Sequence, residues 1–394
     1  MKATDLISLL GGLSLFLYGM QMMSNGLEAA AGNKMKRILE RLTANRILGV
    51  LVGAGITAVI QSSSATTVMV VGFVNSGMMT LQQAVWIIMG ANIGTTITGQ
   101  LIALDIGAIA PLFAFIGVAM IVFLKKEKLH HFGKIIAGLG ILFIGMDMMS
   151  AAMMPLRESE AFISLMTQFS NPVLGILAGA IFTAIIQSSS ASVGILQALA
   201  SSGVIGLPQA VYVLFGQNIG TCITAVLAAI GTSRNAKRTT IIHLSFNIIG
   251  TIVFTIICMV TPFVSLMEGL TPNVSAQIAN THTIFNITTT LLLLPFGTQL
   301  AKMATKILPD RAEEKEDTMH LEYIQPMIPI ETRGETKIGI SAIAVNAIRN
   351  ELTRMTKMAK ENVALSFDAV REGNTGLLEE RNVASVEDLQ DMAA

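Results

Sequence analysis

"VIQSSSATTV" occupies residues 59–68, and "IIQSSSASVG" occupies residues 185–194. In each, a glutamine and three serines interrupt an apolar run. Ser62, Ser63 and Ser64 are poor residues for a helix interior, because their hydroxyls compete for the backbone's own hydrogen bonds. The two glutamines, Gln61 and Gln187, stand 126 residues apart. The same separation pairs "GANIGT" (90–95) with "GQNIGT" (216–221), "LQQAV" (81–85) with "LPQAV" (207–211), and "GMQMMS" (19–24) with "GMDMMS" (145–150). About half the positions between residues 49 and 104 are identical to their partners,. The chain therefore carries an internal duplication, which in a membrane protein points first to a transporter.

Composition agrees with a membrane protein. Of 394 residues, 52% are hydrophobic and 13% charged, where a soluble domain carries roughly 25% charge. Long stretches before residue 300 are almost free of charge, while the segment after Lys302 is dense in it, so an integral membrane body precedes a soluble tail,. Cys222 and Cys258 both sit in apolar runs and suggest neither a disulfide framework nor a zinc site,. The 24 methionines read as packing residues,. A formal net charge of zero argues against a nucleic-acid partner,. No secretory cleavage pattern follows the first apolar stretch, which is expected to stay as a helix,.

Spans long enough for a hydrocarbon core of roughly 30 Å are expected at about 5–26, 81–104, 108–124, 135–154, 207–230, 239–262 and 276–298. The arms around the serines are too short, because residues 46–60 reach only about 22 Å at 1.5 Å per residue. A helical hairpin that enters and leaves on one side resolves this, its tip in a wet or protein-lined setting. Three spans and one re-entrant hairpin per repeat is an odd count, so the second repeat is expected inverted. Basic loops at 33–46, 125–134 and 233–238 then share one side, the cytoplasmic one by the positive-inside rule,. The fold class is thus an all-α integral membrane protein. Repeat 1 covers 1–134, inverted repeat 2 covers 135–262, and a final spanning helix lies within 263–301. A linker (302–335) and a cytoplasmic helical segment (336–394) follow.

Each hairpin tip offers amide and hydroxyl oxygens together with the free N–H groups of the helix that starts there, a ready anion site. Carbonyls at the end of the preceding helix suit a hard cation such as Na⁺. The glycines of "GANIGTT" and "GQNIGTC" are read as breaks within spanning helices that free further backbone groups. Neither motif contains Lys, Arg, Asp or Glu. An anion bound there would be met by dipoles, hydroxyls and co-bound cations, which implies obligatory coupling. No Ser-His-Asp arrangement, metal cluster or P-loop is visible, so no catalytic residue and no cofactor is assigned, and the chain is not expected to be an enzyme.

These residues resemble the type II sodium-dependent phosphate cotransporters, a family built on two inverted repeats each bearing a QSSS motif. The resemblance covers about residues 5–300 and rests on "QSSSA" at 61–65 and 187–191 with "NIGT" at 92–95 and 218–221. It implies Na⁺-driven uptake of inorganic phosphate across the cell (inner) membrane, with Na⁺ as coupling ion. The implied binding residues are Gln61, Ser62, Ser63, Ser64, Asn92 and Thr95, with Gln187, Ser188, Ser189, Ser190, Asn218 and Thr221. Gln61, Ser64, Asn92, Thr95, Gln187, Ser190, Asn218 and Thr221 are the implied Na⁺ ligands. Thr96 joins the set because its repeat partner is Cys222, a poorer Na⁺ ligand, which favours a cation site near Thr96. Residues alone support cation-coupled transport of a small solute. A symporter of another oxyanion, H⁺ in place of Na⁺, and a membrane phosphate sensor signalling through its tail remain open alternatives.

Asp147, an ionisable group at membrane depth, could touch a cation or pair with a helix end, but its repeat partner Gln21 suggests a polar packing position,. "HLSFN" (243–247) and "HTIFN" (282–286) place His and Asn one turn apart, for bonding between helices or bracing the hairpins in preference to a proton relay,. "GNKMKRILERLTANR" (32–46) reads as an amphipathic segment at the cytoplasmic surface,. In the tail, Val345, Ile348, Leu352, Met355 and Ala359 recur at bundle-helix spacing,. "ELTRMTKMAKENVALSFDA" (351–369) resembles the first helix of a PhoU-type domain, here too short for a complete bundle. A homodimer or a regulatory partner could complete it.

Overall fold

In the computed structural model, the structure describes residues 2–31, 45–104, 106–309 and part of 349–364. The basic stretch at 33–44, the linker from 310 and most of the tail lie outside the described residues, as does the greater part of the PhoU-like resemblance. Residues 1–309 form one compact unit and residues 310–394 a second. In the second, positions 352–354 are helical, with Leu352 exposed.

All regular structure described is helical. The first half runs α1 (Ala3–Ala31), α2 (Arg46–Ile60), α3 (Ser63–Asn75), α4 (Leu81–Ile102), α5 (Ala110–Phe123) and α6 (Glu127–Met153). The second half runs α7 (Glu160–Gln168), α8 (Pro172–Ile186), α9 (Ser189–Ser201), α10 (Leu207–Gly220), α11 (Cys222–Ala228) and α12 (Arg234–Val260). Three further helices follow: α13 (Phe263–Leu270), α14 (Val274–Leu293) and α15 (Gly297–Ile307).

Six stretches are long and apolar enough to cross a membrane: Ala3–Ala30, Leu81–Ile102, Glu127–Glu158, Leu207–Ala228, Arg234–Val260 and Val274–Ile307. They match six of the seven expected spans. The seventh, expected at 108–124, is an apolar helical stretch of the same length, Gly107–Phe123, at the short end of what a spanning helix needs. A different candidate emerges at α7 and α8, which qualify only as a pair bent by 99°. The outer faces are apolar: Leu112, Phe115 and Val122 of α5, and Leu177, Ile181 and Ile185 of α8, are exposed, as a lipid-facing surface requires,.

Burial runs from the rim inward. Only 22% of the first candidate span is buried, against 78% of α4. At the centre, the Phe215 and Phe285 rings stack at 4.8 Å and meet Phe254 at 5.9 and 5.0 Å. Glycine lets the central helices approach closely. A Cβ on Gly90 would lie 2.0 Å from the Val50 carbonyl oxygen and one on Gly94 2.3 Å from that of Ala54, which locks α4 onto α2. The repeat partners do the same: Gly216 against Ile176 at 2.0 Å and Gly220 against Ala180 at 2.3 Å, locking α10 onto α8.

This packing overturns the expected helix breaks. α4 is continuous through Gly90–Thr96. Its counterpart is interrupted only at Thr221, which keeps helical φ −63° and ψ −20° and bonds back to Gln217. The glycines are there for close approach to a neighbouring backbone.

α1 and α6, themselves repeat partners, cross antiparallel. A Cβ on Gly12 would lie 2.8 Å from Gly145 O, on Gly19 2.6 Å from Gly138 O, and on Gly26 2.9 Å from His131 O. Since Gly12 corresponds to Gly138 and Gly19 to Gly145, the first two contacts are the same contact made by repeat-equivalent residues.

Gly94→Val should therefore prise α2 from α4 and cost about 1–3 kcal/mol or more. Gly72→Ala, where an added Cβ meets nothing within 4 Å, should be tolerated. Thermal unfolding in detergent, followed by monodispersity, checks both.

Candidate functional site

The serine motifs solve a backbone problem first. α2 is capped by Asn45, whose side chain accepts from Ile47 N at 2.9 Å, and ends at Gln61 in the left-handed region, φ 59°. Ser62 then caps α3, its Oγ accepting from Ala65 N at 3.1 Å. The second copy repeats each step. Asn171 caps α8, Gln187 takes φ 59°, and Ser188 accepts from Ala191 N at 3.2 Å. Two residues thus close one helix and open the next. Across each turn the arms are tied by hydroxyls, Thr57 to Thr66 at 2.9 Å and Thr183 to Ser192 at 3.0 Å.

The two tips meet. Ser190 Oγ donates to Gln61 O at 3.3 Å and lies 3.2 Å from Thr98 Oγ1, which in turn donates to Gln61 Oε1 at 2.7 Å. Ser64 Oγ lies 3.4 Å from Thr221 Oγ1, and Thr95 Oγ1 donates to Ser63 Oγ at 3.4 Å. The first tip thus touches the NIGT helix of the second repeat, and the second tip touches that of the first. Between the tips lies a cavity of about 90 Å³. It is lined by Gln61 through Ser64, by Ser188 through Ser190, and by Met20, Gln21 and Ser24 of α1. No lining residue carries a formal charge. The first turns of both α3 and α9 begin at its wall, and first-turn N–H groups have no partner within their own helix,.

Of the expected site residues, Gln61, Ser62, Ser63, Ser64, Ser188, Ser189 and Ser190 line this cavity. Thr95 and Thr221 stand one hydrogen bond behind it. The others are placed elsewhere. Gln187 is exposed outside the lining, and Asn92 donates to Ile88 O of its own helix at 3.0 Å. Thr96 donates to Ile93 O at 2.8 Å, and Asn218 Oδ1 lies 3.3 Å from His282 Nε2. The two His-Asn motifs brace the second NIGT helix rather than each other: His282 through Asn218, and Asn247 by donating to Cys222 Sγ at 3.2 Å.

Sequence reasoning missed Thr98 and the α1 wall. Ser24 Oγ donates to Ile60 O and holds α1 on the first tip. Gln21, read as a packing residue, faces the cavity. The signal was present in "GMQMMS", which recurs with the serine motifs, but nothing in one sequence brings α1 to the tips.

Gln61→Gly separates the two jobs of that residue. It removes the backbone cost of a left-handed non-glycine residue, about 1 kcal/mol, and deletes the bond to Thr98. The expected outcome is a melting temperature at or near wild type, measured by thermal unfolding in detergent.

The profile of the Na⁺/Pi-cotransporter family matches residues 15–151 and again 153–293, each segment holding one serine tip. "Uncharacterized protein YqeW" of Bacillus subtilis is 33% identical over 309 residues, 77% of this chain and 98% of that protein. "Putative inorganic phosphate export protein YjbB" of Salmonella typhimurium is 28% identical over 309 residues, 78% of this chain and 56% of that protein. The chain thus spans little more than half the length of YjbB. Human "Sodium-dependent phosphate transport protein 2B" is 38% identical over 101 residues, 25% of this chain and 15% of that protein. No solved structure matches. With the profile matching both halves around the two serine tips, the chain belongs to the Na⁺/Pi-cotransporter family, a family of transporters and not of enzymes.

Proposed function

We propose that this protein moves inorganic phosphate across the membrane together with Na⁺, by alternating access at the two QSSS tips. One observation carries the reading: two repeat-related tips, each the start of a helix, face one cavity without a charged side chain. Helix N-termini and serine hydroxyls suit an oxyanion. Gln61 Oε1, the Ser64 and Ser190 hydroxyls and nearby carbonyls supply hard oxygen ligands for Na⁺. The phosphate charge then has to be met by the cation, and neither binds well alone. In this reading α2–α3 and α8–α9 are re-entrant hairpins.

The antiparallel pairing of the equivalent helices α1 and α6 supports inverted repeats. Inversion also sets Lys125, Lys126, Arg234 and Lys237 on one side, the cytoplasmic one, where the C-terminal segment joins,. The tail is then a cytoplasmic regulatory or dimerising element of an inner-membrane protein. YjbB carries export in its name, and the same cycle run against a reversed gradient exports phosphate, so direction follows the gradients.

The test is uptake of labelled phosphate into liposomes holding the purified protein, with and without an inward Na⁺ gradient. Accumulation that needs Na⁺ and is competed by phosphate but not sulfate supports the proposal. Folded protein that binds phosphate yet moves none under Na⁺ or H⁺ gradients would make it a sensor. A hydrogen bond to a charged group contributes about 1.5–3 kcal/mol. Ser63→Ala and Ser189→Ala should therefore each lower transport about tenfold or more without loss of folding; wild-type rates in both would remove these serines from the site.

A further inference from the structure

The two repeats are alike in sequence and unlike in surroundings. Gln61 is 5% exposed and held by Thr98, whereas its partner Gln187 is exposed. Ser24 Oγ donates to Ile60 O, at the end of its hairpin's first arm. Its partner Ser150 donates instead to Ala198 O, in the second arm of the other hairpin, at 3.2 Å. Met20, Gln21 and Ser24 of α1 line the cavity, and the equivalent Met146, Asp147 and Ser150 of α6 do not. Asp147 lies beside Gly107, where an added Cβ would come 2.7 Å from its carboxylate.

α1 and α6 meet each other as equals through Gly12–Gly145 and Gly19–Gly138. Their mutual packing gives neither helix priority at the cavity. The asymmetry lies in how each docks on its own hairpin. Two equivalent halves held in one unequal arrangement have a second arrangement of matching contacts, reached by exchanging the halves. We infer that α6 replaces α1 at the cavity in this second arrangement, so that Asp147 and Ser150 line it there, Ser150 bonding Ile186 O and Ser24 bonding Gly72 O. The inference rests on the transport reading above and names the wall of its opposite state.

The exchange changes the charge of the site. Where Gln21 stood, a carboxylate faces the bound anion, and the two repel strongly at short range unless a cation sits between them. Asp147 is therefore a monovalent-cation ligand of one state only. With α6 running outward, as the basic loops imply, that state is the outward-facing one.

Cysteine accessibility tests this on the full chain, in a background of Cys222→Thr and Cys258→Ala that retains transport. Gln21→Cys and Ser150→Cys are introduced singly and treated with a membrane-impermeant maleimide in right-side-out and inside-out vesicles. Gln21→Cys should label from the cytoplasmic side and Ser150→Cys from the outer side. With Na⁺ and inorganic phosphate at about ten times half-saturation, both labelling rates should fall about tenfold, as single-site occupancy dictates. If Ser150→Cys does not transport, Met146→Cys carries the same arm. Labelling of Ser150→Cys from neither side, from the Gln21 side, or without protection would overturn the exchange, while protection of Gln21→Cys would leave the transport site standing. Loss of protection at both positions would instead overturn the site. Asp147→Asn should raise the half-saturating Na⁺ concentration measured from outside alone; an equal rise on both sides would contradict the one-state role.

Discussion

A helix that ends inside an apolar solvent must answer its own polar groups, since no water is there to do so. Everything distinctive in this molecule follows from meeting that constraint twice. Gln61 and Gln187 turn the backbone left-handed to close one helix, and Ser62 and Ser188 cap the next. The turn is two residues long, so the following serines are carried into the first turn of the new helix. Their hydroxyls and first-turn N–H groups end at the cavity wall because of where the chain had to be capped. The serines that solve the capping problem are therefore among those that line the cavity, which is why the proposed binding role and the structural role of the serines are inseparable.

The rest of the fold holds these tips in place. Gly90 and Gly94 bring the α2 backbone against α4, and Gly216 and Gly220 repeat this for α8 and α10. Such contacts fix the depth of each tip relative to the NIGT helix beside it, and the reciprocal contacts of Ser64 with Thr221 and Ser190 with Thr98 join the halves. α14 adds a brace from outside the duplication, through His282 on Asn218 and Thr290 on Met89 O. Polar residues in the interior mainly serve this bracing. Asn92 and Thr96, which read from sequence as ligands, bond carbonyls of their own helix.

Most of the architecture was legible because duplication is: caps, turns, glycines and serine tips all recur at one separation, and a repeated oddity is hard to assign to chance. Two parts were not legible, for physical reasons. A glycine pair in a helix signals either a break or a close approach, and only the neighbouring backbone decides. Here Val50 and Ala54 decide for close approach. The α1 wall was hidden for a different reason. Gln21 and Ser24 are ordinary polar residues on an apolar spanning helix, and their importance depends on which helix lies over the tips. Similar motifs in two helices do not report which of them lies over the tips, and in this structure it is α1 rather than α6.

The central claim is that both tips build a single phosphate site. The most direct measurement is the stoichiometry of phosphate binding to the purified protein in Na⁺, by calorimetry, for wild type and for variants with one tip substituted. One phosphate per chain, lost or severely weakened by substitution in either tip, is the predicted result. Two phosphates per chain, or a tip substitution that removes one and spares another, would contradict a shared site and leave two independent half-sites in its place.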